Sequence, residues 1–166
     1  MSSRKEIFSD VADPDEVFNW VAKPNQTCFI FFPALKLGAI GIAIVLFHFF
    51  IAKSPIINFA FVLLPLAFIV YIYRVFLYTN TFYTYSSKRI LIKSGVFGID
   101  YTIVDFKKIS DYKVTVSPIE NLFGVGSIHI YTPSNTERKQ IAFRNIPVPF
   151  EVFKLLKSTG NNSDAN

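Results

Sequence analysis

Two long runs of uncharged, mostly apolar residues constrain the fold of this chain more than any other feature. Residues 37–52 and 54–73 contain no acidic side chain, lysine or arginine, and only Lys53 separates the two runs. A membrane-spanning helix requires about 20 mostly apolar residues, each adding a rise of about 1.5 Å. The second run reaches this length alone, and the first reaches it if its helix begins a few residues upstream. We therefore predict two transmembrane helices, at about residues 33–52 and 55–78.

The alternative is a pair of buried helices in a soluble bundle. A helix of a soluble protein presents a polar stripe to water, and residues 56–73 have none. The composition agrees, because 51% of the 166 residues are hydrophobic and only 17% are charged, whereas soluble domains average about 25% charged residues. A chain of this size cannot bury so much apolar surface by itself, so we expect the excess to lie in lipid or against a partner.

The charges around the two runs predict their orientation. The link Lys53-Ser54-Pro55 is so short that it requires a tight turn, and the two helices should form an antiparallel hairpin over residues 33–78. The turn carries one basic residue, and the opposite ends of the runs carry more: Lys23, Lys36, Arg74, Lys88, Arg89 and Lys93. The positive-inside rule then places both termini in the cytoplasm. The acidic N-terminal stretch argues against a cleaved secretory signal.

Five residues are candidates for anchors at the membrane interfaces. Aromatic rings and long basic side chains favour the headgroup region, where their apolar part lies in lipid and their polar tip in water. Lys36 falls in the first turn of the first predicted helix, and Tyr71, Tyr73 and Arg74 lie near the cytoplasmic end of the second. Trp20, the sole tryptophan, is predicted either as an interfacial anchor or as part of a small core.

His48 is the one ionisable side chain well inside a predicted span. An intramembrane histidine raises the hypothesis of a proton path or a metal site. A neutral imidazole bonded to a backbone carbonyl or to interfacial water is favoured instead, because no acidic residue accompanies His48 in either run. Cys28 is the sole cysteine, which excludes an intrachain disulfide and a cysteine-built metal site.

Residues 1–32 are predicted to form a cytoplasmic N-terminal segment. Asp13-Pro14-Asp15-Glu16 is typical of a helix start, with a capping residue, a proline and a glutamate in the expected order, so a short helix is expected to reach about Ala22. An extended segment that leads to the membrane is the alternative. The segment carries three basic and five acidic residues, which makes it a poor binder of anionic lipid.

From Thr79 onward the pattern changes from continuous apolar residues to alternation, which predicts strands. Six short strands are expected at 81–85, 89–93, 100–106, 111–116, 127–131 and 140–143. A C-terminal amphipathic helix follows, with its apolar side formed by Phe150, Val152, Phe153, Leu155 and Leu156. Thr159-Gly160 should end this helix, and residues 159–166 are predicted to be a disordered tail.

The order of these motifs resembles the bacterial membrane-anchored PH-like domain family. A two-helix hairpin precedes Tyr83-Thr84, Arg89-Ile90 and Gly95, and the most specific motif is Leu122-Phe123-Gly124-Val125-Gly126-Ser127-Ile128. The resemblance covers about residues 16–157. It implies two transmembrane helices followed by a PH-like bent antiparallel β-sandwich or partial barrel at 79–158, capped by a C-terminal helix. The glycines of the motif are expected where the backbone needs positive φ or close approach.

No catalytic motif accompanies this fold, and basic residues are the remaining candidates for a binding surface. Lys88, Arg89 and Lys93 fall on the first hairpin of the predicted domain, and Lys107-Lys108 falls on a later turn. Such residues either bind anionic lipid or a partner, or only keep a cytoplasmic domain soluble. Nucleic-acid binding is not expected, because the charges are scattered and the chain is tethered.

We therefore expect a non-enzymatic, multi-pass protein of the bacterial inner membrane. Its cytoplasmic PH-like domain is expected to mediate protein–protein interaction or assembly, in a homo-oligomer or as an accessory subunit of a larger membrane complex. An anionic lipid-headgroup binding module is the alternative, and a transport-related protein that uses His48 is a distant one. Membrane lipids are expected partners, and no cofactor is expected.

Overall fold

A helical segment interrupts a β-sandwich in this chain. The computed structural model describes residues 7–8, 10–13, 16–50, 57–133 and 139–164. The chain divides into a helical unit of residues 26–79 and a β unit that combines residues 1–25 with residues 80–166. The β unit is therefore built from both ends of the chain.

The described part of the helical unit contains two long helices. A π-helical turn at Thr27–Phe31 leads into α1 at Phe32–Phe50, and α2 covers Ile57–Asn80. The first helical segment thus begins six residues before the predicted start at residue 33, and Lys36 lies in its third turn rather than its first. The sequence does not indicate a helix start at Thr27, because the residue before it, Gln26, forms no side-chain capping hydrogen bond and is not a typical capping residue.

One helix among the described residues is long and apolar enough to cross a membrane. It covers Thr27–Phe47 with a mean hydropathy of 2.3, and only 17% of it is buried within the chain. By length and composition this segment meets the requirement for a membrane span. The second predicted span corresponds to the 24-residue helix α2. The predicted tight turn at Lys53-Ser54-Pro55 and the side chain of His48 lie outside the described residues.

Among the residues that the structure describes, the β unit has seven antiparallel strands in two sheets. The first sheet has the order β1-β2-β3-β4, with strands at Phe18–Ala22, Phe82–Ser86, Arg89–Ser94 and Asp100–Asp105. The second has the order β5-β6-β7, with strands at Asp111–Thr115, Val125–Thr132 and Lys139–Pro147. The predicted antiparallel sandwich and its six strands after Thr79 are confirmed. A short helix, α3 at Pro118–Leu122, was not predicted.

The N-terminal segment supplies the remaining strand. β1 pairs antiparallel with β2, with Val21 opposite Thr84 and Ala22 opposite Tyr83. The predicted helix up to Ala22 is therefore wrong, and the extended alternative is correct. The domain predicted over residues 79–158 lacks this edge strand, because the helical unit is inserted between β1 and β2.

The core lies between the two sheets. Tyr83 of β2 stacks on Phe143 of β7 with ring centroids 4.9 Å apart. The Trp20 ring packs against the same core, 5.9 Å from Phe143 and 6.2 Å from Tyr85. Trp20 is partly buried and packs against this core, which is one of the two roles predicted for it, and the role of interfacial anchor stays a prediction.

The C-terminal helix α4, at Pro149–Asp164, closes one side of the sandwich. It buries Val152 and Leu156, as predicted, but Phe150 and Leu155 are exposed. The helix continues past the predicted end at Thr159-Gly160, into the stretch expected to be disordered. Gly160 packs beside the Phe106 ring, where an added Cβ would lie 3.3 Å from Cδ1. This tertiary contact supports a turn that propensity alone disfavours.

The sandwich has two ends, which we name by the path of the chain. At the junction end the chain leaves the β unit after Asn25 and returns at Asn80, and the loops β3–β4 and β7–α4 lie there. The far end carries the β2–β3 turn and the link from β4 to β5. The six residues of β3 separate the two ends, which corresponds to about 17 Å of extended backbone.

Candidate interaction surfaces

An ion pair between Glu16 and Arg89 occupies one of the predicted binding residues. Arg89 Nη2 donates to Glu16 Oε2 at 2.6 Å and Arg89 Nε donates to Glu16 Oε1 at 3.0 Å. The same guanidinium lies 3.2 Å from Asp13 Oδ2 and donates to the Val11 carbonyl. Its donors are therefore directed at the N-terminal segment, and the pair holds that segment against the start of β3.

The electrostatics of this pair favour the charged forms. The Glu16 side chain is only 1% exposed, and burial alone would raise its pKa. The hydrogen bonds from Arg89 and Ser86 and from the Asp13 backbone outweigh burial and lower the pKa of Glu16 from 4.5 to about 2. The hydrogen bond with Glu16 raises the pKa of Arg89 in turn. Glu16 is therefore ionised at neutral pH although it is buried.

Lys93 contacts the N-terminal segment as well. Its Nζ donates to the Ile7 carbonyl at 3.1 Å and lies 5.5 Å from the centroid of the Tyr101 ring. Phe8 is fully buried and its ring packs 6.3 Å from the same tyrosine. Two of the five predicted binding residues, Arg89 and Lys93, thus help to fasten the N-terminal segment to the sheet.

The other three predicted residues lie together at the far end. Lys88 is in the β2–β3 turn, and its carbonyl accepts from the Phe106 amide at 3.1 Å, which brings this turn beside Lys107 and Lys108. All three side chains are exposed. Lys108 Nζ forms an ion pair with Asp105 at 3.0 Å. The far end therefore presents a small basic surface, made of residues 88, 107 and 108, which we call the far-end basic surface.

A cavity of about 300 Å³ adjoins this surface. It lies between the second half of α4 and the link from β4 to β5, with Phe106, Tyr112 and Phe153 as its aromatic lining. Lys157 and Asp111 bring opposite charges to its rim. Its volume is at the lower limit of small-molecule sites, and aromatic walls with charged rims suit one or two side chains of a peptide.

The Leu122–Ile128 motif shapes the junction end of the second sheet. Gly124 has φ +62°, and a Cβ on Gly126 would lie 2.7 Å from Val116 Cγ2 and 2.8 Å from Pro149 Cγ. The expected roles of the two glycines, positive φ and close approach, are confirmed. The motif therefore encodes a tight contact between β6 and the start of α4.

Glu120 of α3 connects the loops around this motif. Its side chain completes a capping box with Ser117, and its Oε1 accepts from Asn145 Nδ2 at 2.9 Å and from Ser127 Oγ at 3.2 Å. Asn145 has φ 52° and Val148 has φ 44°. Such values are uncommon for residues other than glycine, above all for a β-branched valine. The network holds this loop in a conformation that leaves Val148 exposed.

The predicted membrane anchors fall on the helical unit, apart from Trp20. The Tyr71 ring packs 5.5 Å from Phe31, and the Arg74 guanidinium lies 5.2 Å above the Phe29 ring. Tyr73 and Lys36 are exposed. These positions are compatible with an interface role, which stays a prediction.

His129 on β6 is the one histidine whose side chain the structure describes. His129 Nε2 lies 2.9 Å from Thr115 Oγ1, and its Nδ1 contacts Gln140 Nε2. Burial, together with the charges of Arg144 and Lys113, lowers the pKa of His129. Within the described ranges, no three histidine, cysteine or acidic side chains are close enough to hold a metal ion.

Several of these contacts could not be predicted from the charge pattern of the sequence. Glu16 was assigned to a helix start, and the partner of Arg89 lies 73 residues away. The sequence did not predict the bonds of Asn25 and Asn80: the Asn25 amide donates to the Asn145 carbonyl at 2.7 Å, and Asn80 Nδ2 donates to the Gly95 carbonyl at 3.1 Å.

A family model and a solved structure are similar to this chain. The family model that describes the bacterial PH domain matches residues 32–159. No curated protein matches the chain. A solved DUF1696 family protein with a pleckstrin-homology domain from Shewanella loihica PV-4 is similar over 98% of this chain and 95% of its own length, with 7% sequence identity and a TM-score of 0.46.

Proposed function

The chain belongs to the bacterial PH domain family, and from that membership we propose that it is a membrane-anchored, non-catalytic binding module. Its PH-like domain binds a protein partner, as a second copy of the chain or as a larger membrane complex in the bacterial inner membrane. PH-like folds serve many binding roles. The observation that carries the proposal is the insertion of the helical unit between two strands that pair with each other.

This insertion supports a hairpin that enters and leaves the membrane on the same side. β1 and β2 are hydrogen-bonded neighbours, so both ends of the helical unit lie on the same side of any membrane that it enters. This pairing supports an even number of spans. The apolar helix at Thr27–Phe47 needs a returning span, and the 24 residues of α2 are long enough to supply it. We propose a two-span hairpin with both chain termini in the cytoplasm.

The far end is the proposed binding surface for the partner. It lies about one strand length, roughly 17 Å, from the points where the chain enters the helical unit. The far-end basic surface and the cavity beside Tyr112 and Phe153 are adjacent there. An acidic or amphipathic segment of a protein partner matches this combination of aromatic walls and lysines.

Site-specific photocrosslinking in native membranes tests this function. A photoreactive residue in place of Lys107 should give an adduct of defined mass, whose composition identifies a second copy or another membrane protein. Glu151, exposed in the first turn of α4 at the junction end, is the matched control position. Adducts at neither Lys107 nor Lys157, with a monomeric mass in mild detergent, contradict the proposal.

Binding of anionic lipid headgroups is the alternative function. The geometry favours it less, because Arg89 is engaged with Glu16 and Lys88 lies at the far end. Lys88→Ala tests it without disturbing the ion pair. If this variant of the full chain, held in detergent, binds a short-chain anionic lipid more weakly than the wild type does but a neutral one equally well, the lipid alternative gains over the protein partner.

A further inference from the structure

The β3–β4 loop ends in a protruding apolar tip. Gly95 and Gly98 flank Val96 and Phe97, and Ile99 follows. Phe97 is fully exposed, with a relative accessibility of 104%, and Ile99 is more than half exposed. A single exposed ring is common on protein surfaces, whereas several exposed apolar side chains at one end of a domain mark an interaction site.

This tip is fastened to the end of the second long helix. Asn80 is the last residue of α2, and its side-chain amide donates to the Gly95 carbonyl at 3.1 Å. β2 begins at Phe82, so a single residue separates the helix from the sheet. Phe97 lies two residues beyond Gly95, which limits their separation to about 7 Å along the chain.

A second exposed apolar cluster lies at the same end of the sandwich. It consists of Leu122, Phe123, Val148 and Phe150, and Leu122 is 83% exposed. The Val148 amide donates to the Gly124 carbonyl at 3.2 Å, which joins the two loops that carry the cluster. The Asn25 amide, one residue before the helical unit, donates to the carbonyl of Asn145 in β7, three residues before Val148. We call these four residues the Leu122 cluster.

We propose that the junction end of the β unit rests on the bilayer, with Phe97 and the Leu122 cluster inserted into its interfacial region. The proposal rests on the membrane anchoring proposed above. Lipid is the occupant because the chain enters and leaves the apolar helical unit next to these side chains: Asn25 bonds to Asn145, three residues before Val148, and Asn80 bonds to Gly95 of the tip. Apolar side chains at a surface typically reach about 5–10 Å into the headgroup and acyl boundary.

This arrangement assigns different roles to the two ends of the sandwich. The junction end carries exposed apolar side chains, whereas the far end carries exposed lysines and the aromatic cavity. Contacts at the junction end fix the height and tilt of the domain on the membrane. The far end is thereby held facing the cytoplasm, where a partner has access to it.

Lipid-borne quenchers test the insertion in the full chain. The purified protein is reconstituted into phosphatidylcholine–phosphatidylglycerol vesicles after Phe97→Cys or Leu122→Cys has been labelled with an environment-sensitive fluorophore. Lys88→Cys is the matched far-end control, and the wild type gives the blank because Cys28 is buried. Doxyl groups near the headgroups should quench the labels at 97 and 122 and blue-shift their emission, and should leave the label at 88 unchanged.

The possible outcomes distinguish failure of the insertion from failure of the membrane anchoring on which it rests. If the protein resists alkaline extraction but the labels at 97 and 122 behave like the label at 88, the insertion is overturned and the membrane anchor is retained. A blue shift at 97 without lipid quenching indicates a second copy of the chain on this end and also overturns the insertion. Protein that leaves the vesicles at high pH overturns the proposed membrane anchoring itself.

Discussion

Arg89 at the start of β3 holds the buried carboxylate of Glu16, 73 residues earlier, through a bond of 2.6 Å between Nη2 and Oε2. The whole helical unit lies between these two residues in the sequence. The pair fixes the chain just before β1, the strand that the N-terminal segment adds to the sheet. The integrity of the PH-like domain therefore depends on residues from both sides of the apolar helices.

Removal of the arginine should destabilise the domain strongly. Arg89→Met leaves the Glu16 carboxylate buried without its partner, which costs about 3–5 kcal/mol for a buried pair. Denaturant unfolding of the full chain in detergent measures the loss, and Trp20 reports it because the sole tryptophan lies against the sandwich core.

Two companion variants make this measurement specific. Lys88 is exposed and directly precedes Arg89 in the chain. Lys88→Met should therefore change the free energy of unfolding by no more than about 0.5 kcal/mol. Combining Glu16→Leu with Arg89→Met should recover much of the loss, because no charge then remains buried alone. Equal stability of Arg89→Met and Lys88→Met is incompatible with a structural role for the pair.

The stability of the domain should depend on pH through Glu16. Because its pKa falls from 4.5 to about 2 on folding, its contribution is complete above pH 4.5 and is lost as the pH falls through about 2. The shift corresponds to about 3 kcal/mol. The free energy of unfolding, measured between pH 2 and 6, should therefore fall less steeply toward acid in Glu16→Gln than in the wild type. Parallel curves for the two proteins argue against a depressed pKa.

Gly126 should not tolerate a side chain. An alanine Cβ would lie 2.8 Å from the Pro149 ring and 3.0 Å from the Thr115 carbonyl oxygen, and neither atom can move freely. Gly126→Ala should destabilise the domain by about 1–3 kcal/mol through overpacking. Gly98→Ala is the control, because nothing lies within 4 Å of its added Cβ. Equal unfolding midpoints for the two variants count against the close approach of β6 and α4.

The strands after Thr79 could be predicted from sequence because each alternates over four or more residues and is bounded by turn residues. β1 could not, since Asp13 to Glu16 forms a local helix signal that the pairing of Val21 with Thr84 overrides. The contacts of the predicted binding residues could not be predicted from sequence either. Charge alone indicated Arg89 and Lys93, but the chain segment that binds them is distant in sequence. The exposed tip at Phe97 is visible only once Asn80 and Gly95 are brought together.

Membrane topology tests the central claim most directly. Single cysteines are introduced in place of Val17, Lys53 and Lys88, and intact and permeabilised cells are treated with a membrane-impermeant maleimide. Val17 is 62% exposed and Lys88 is exposed at the far end. The two-span hairpin predicts labelling at position 53 in intact cells, and at positions 17 and 88 only after permeabilisation. Labelling of 17 and 88 from opposite sides, or of 53 from the same side as both, contradicts the inserted hairpin.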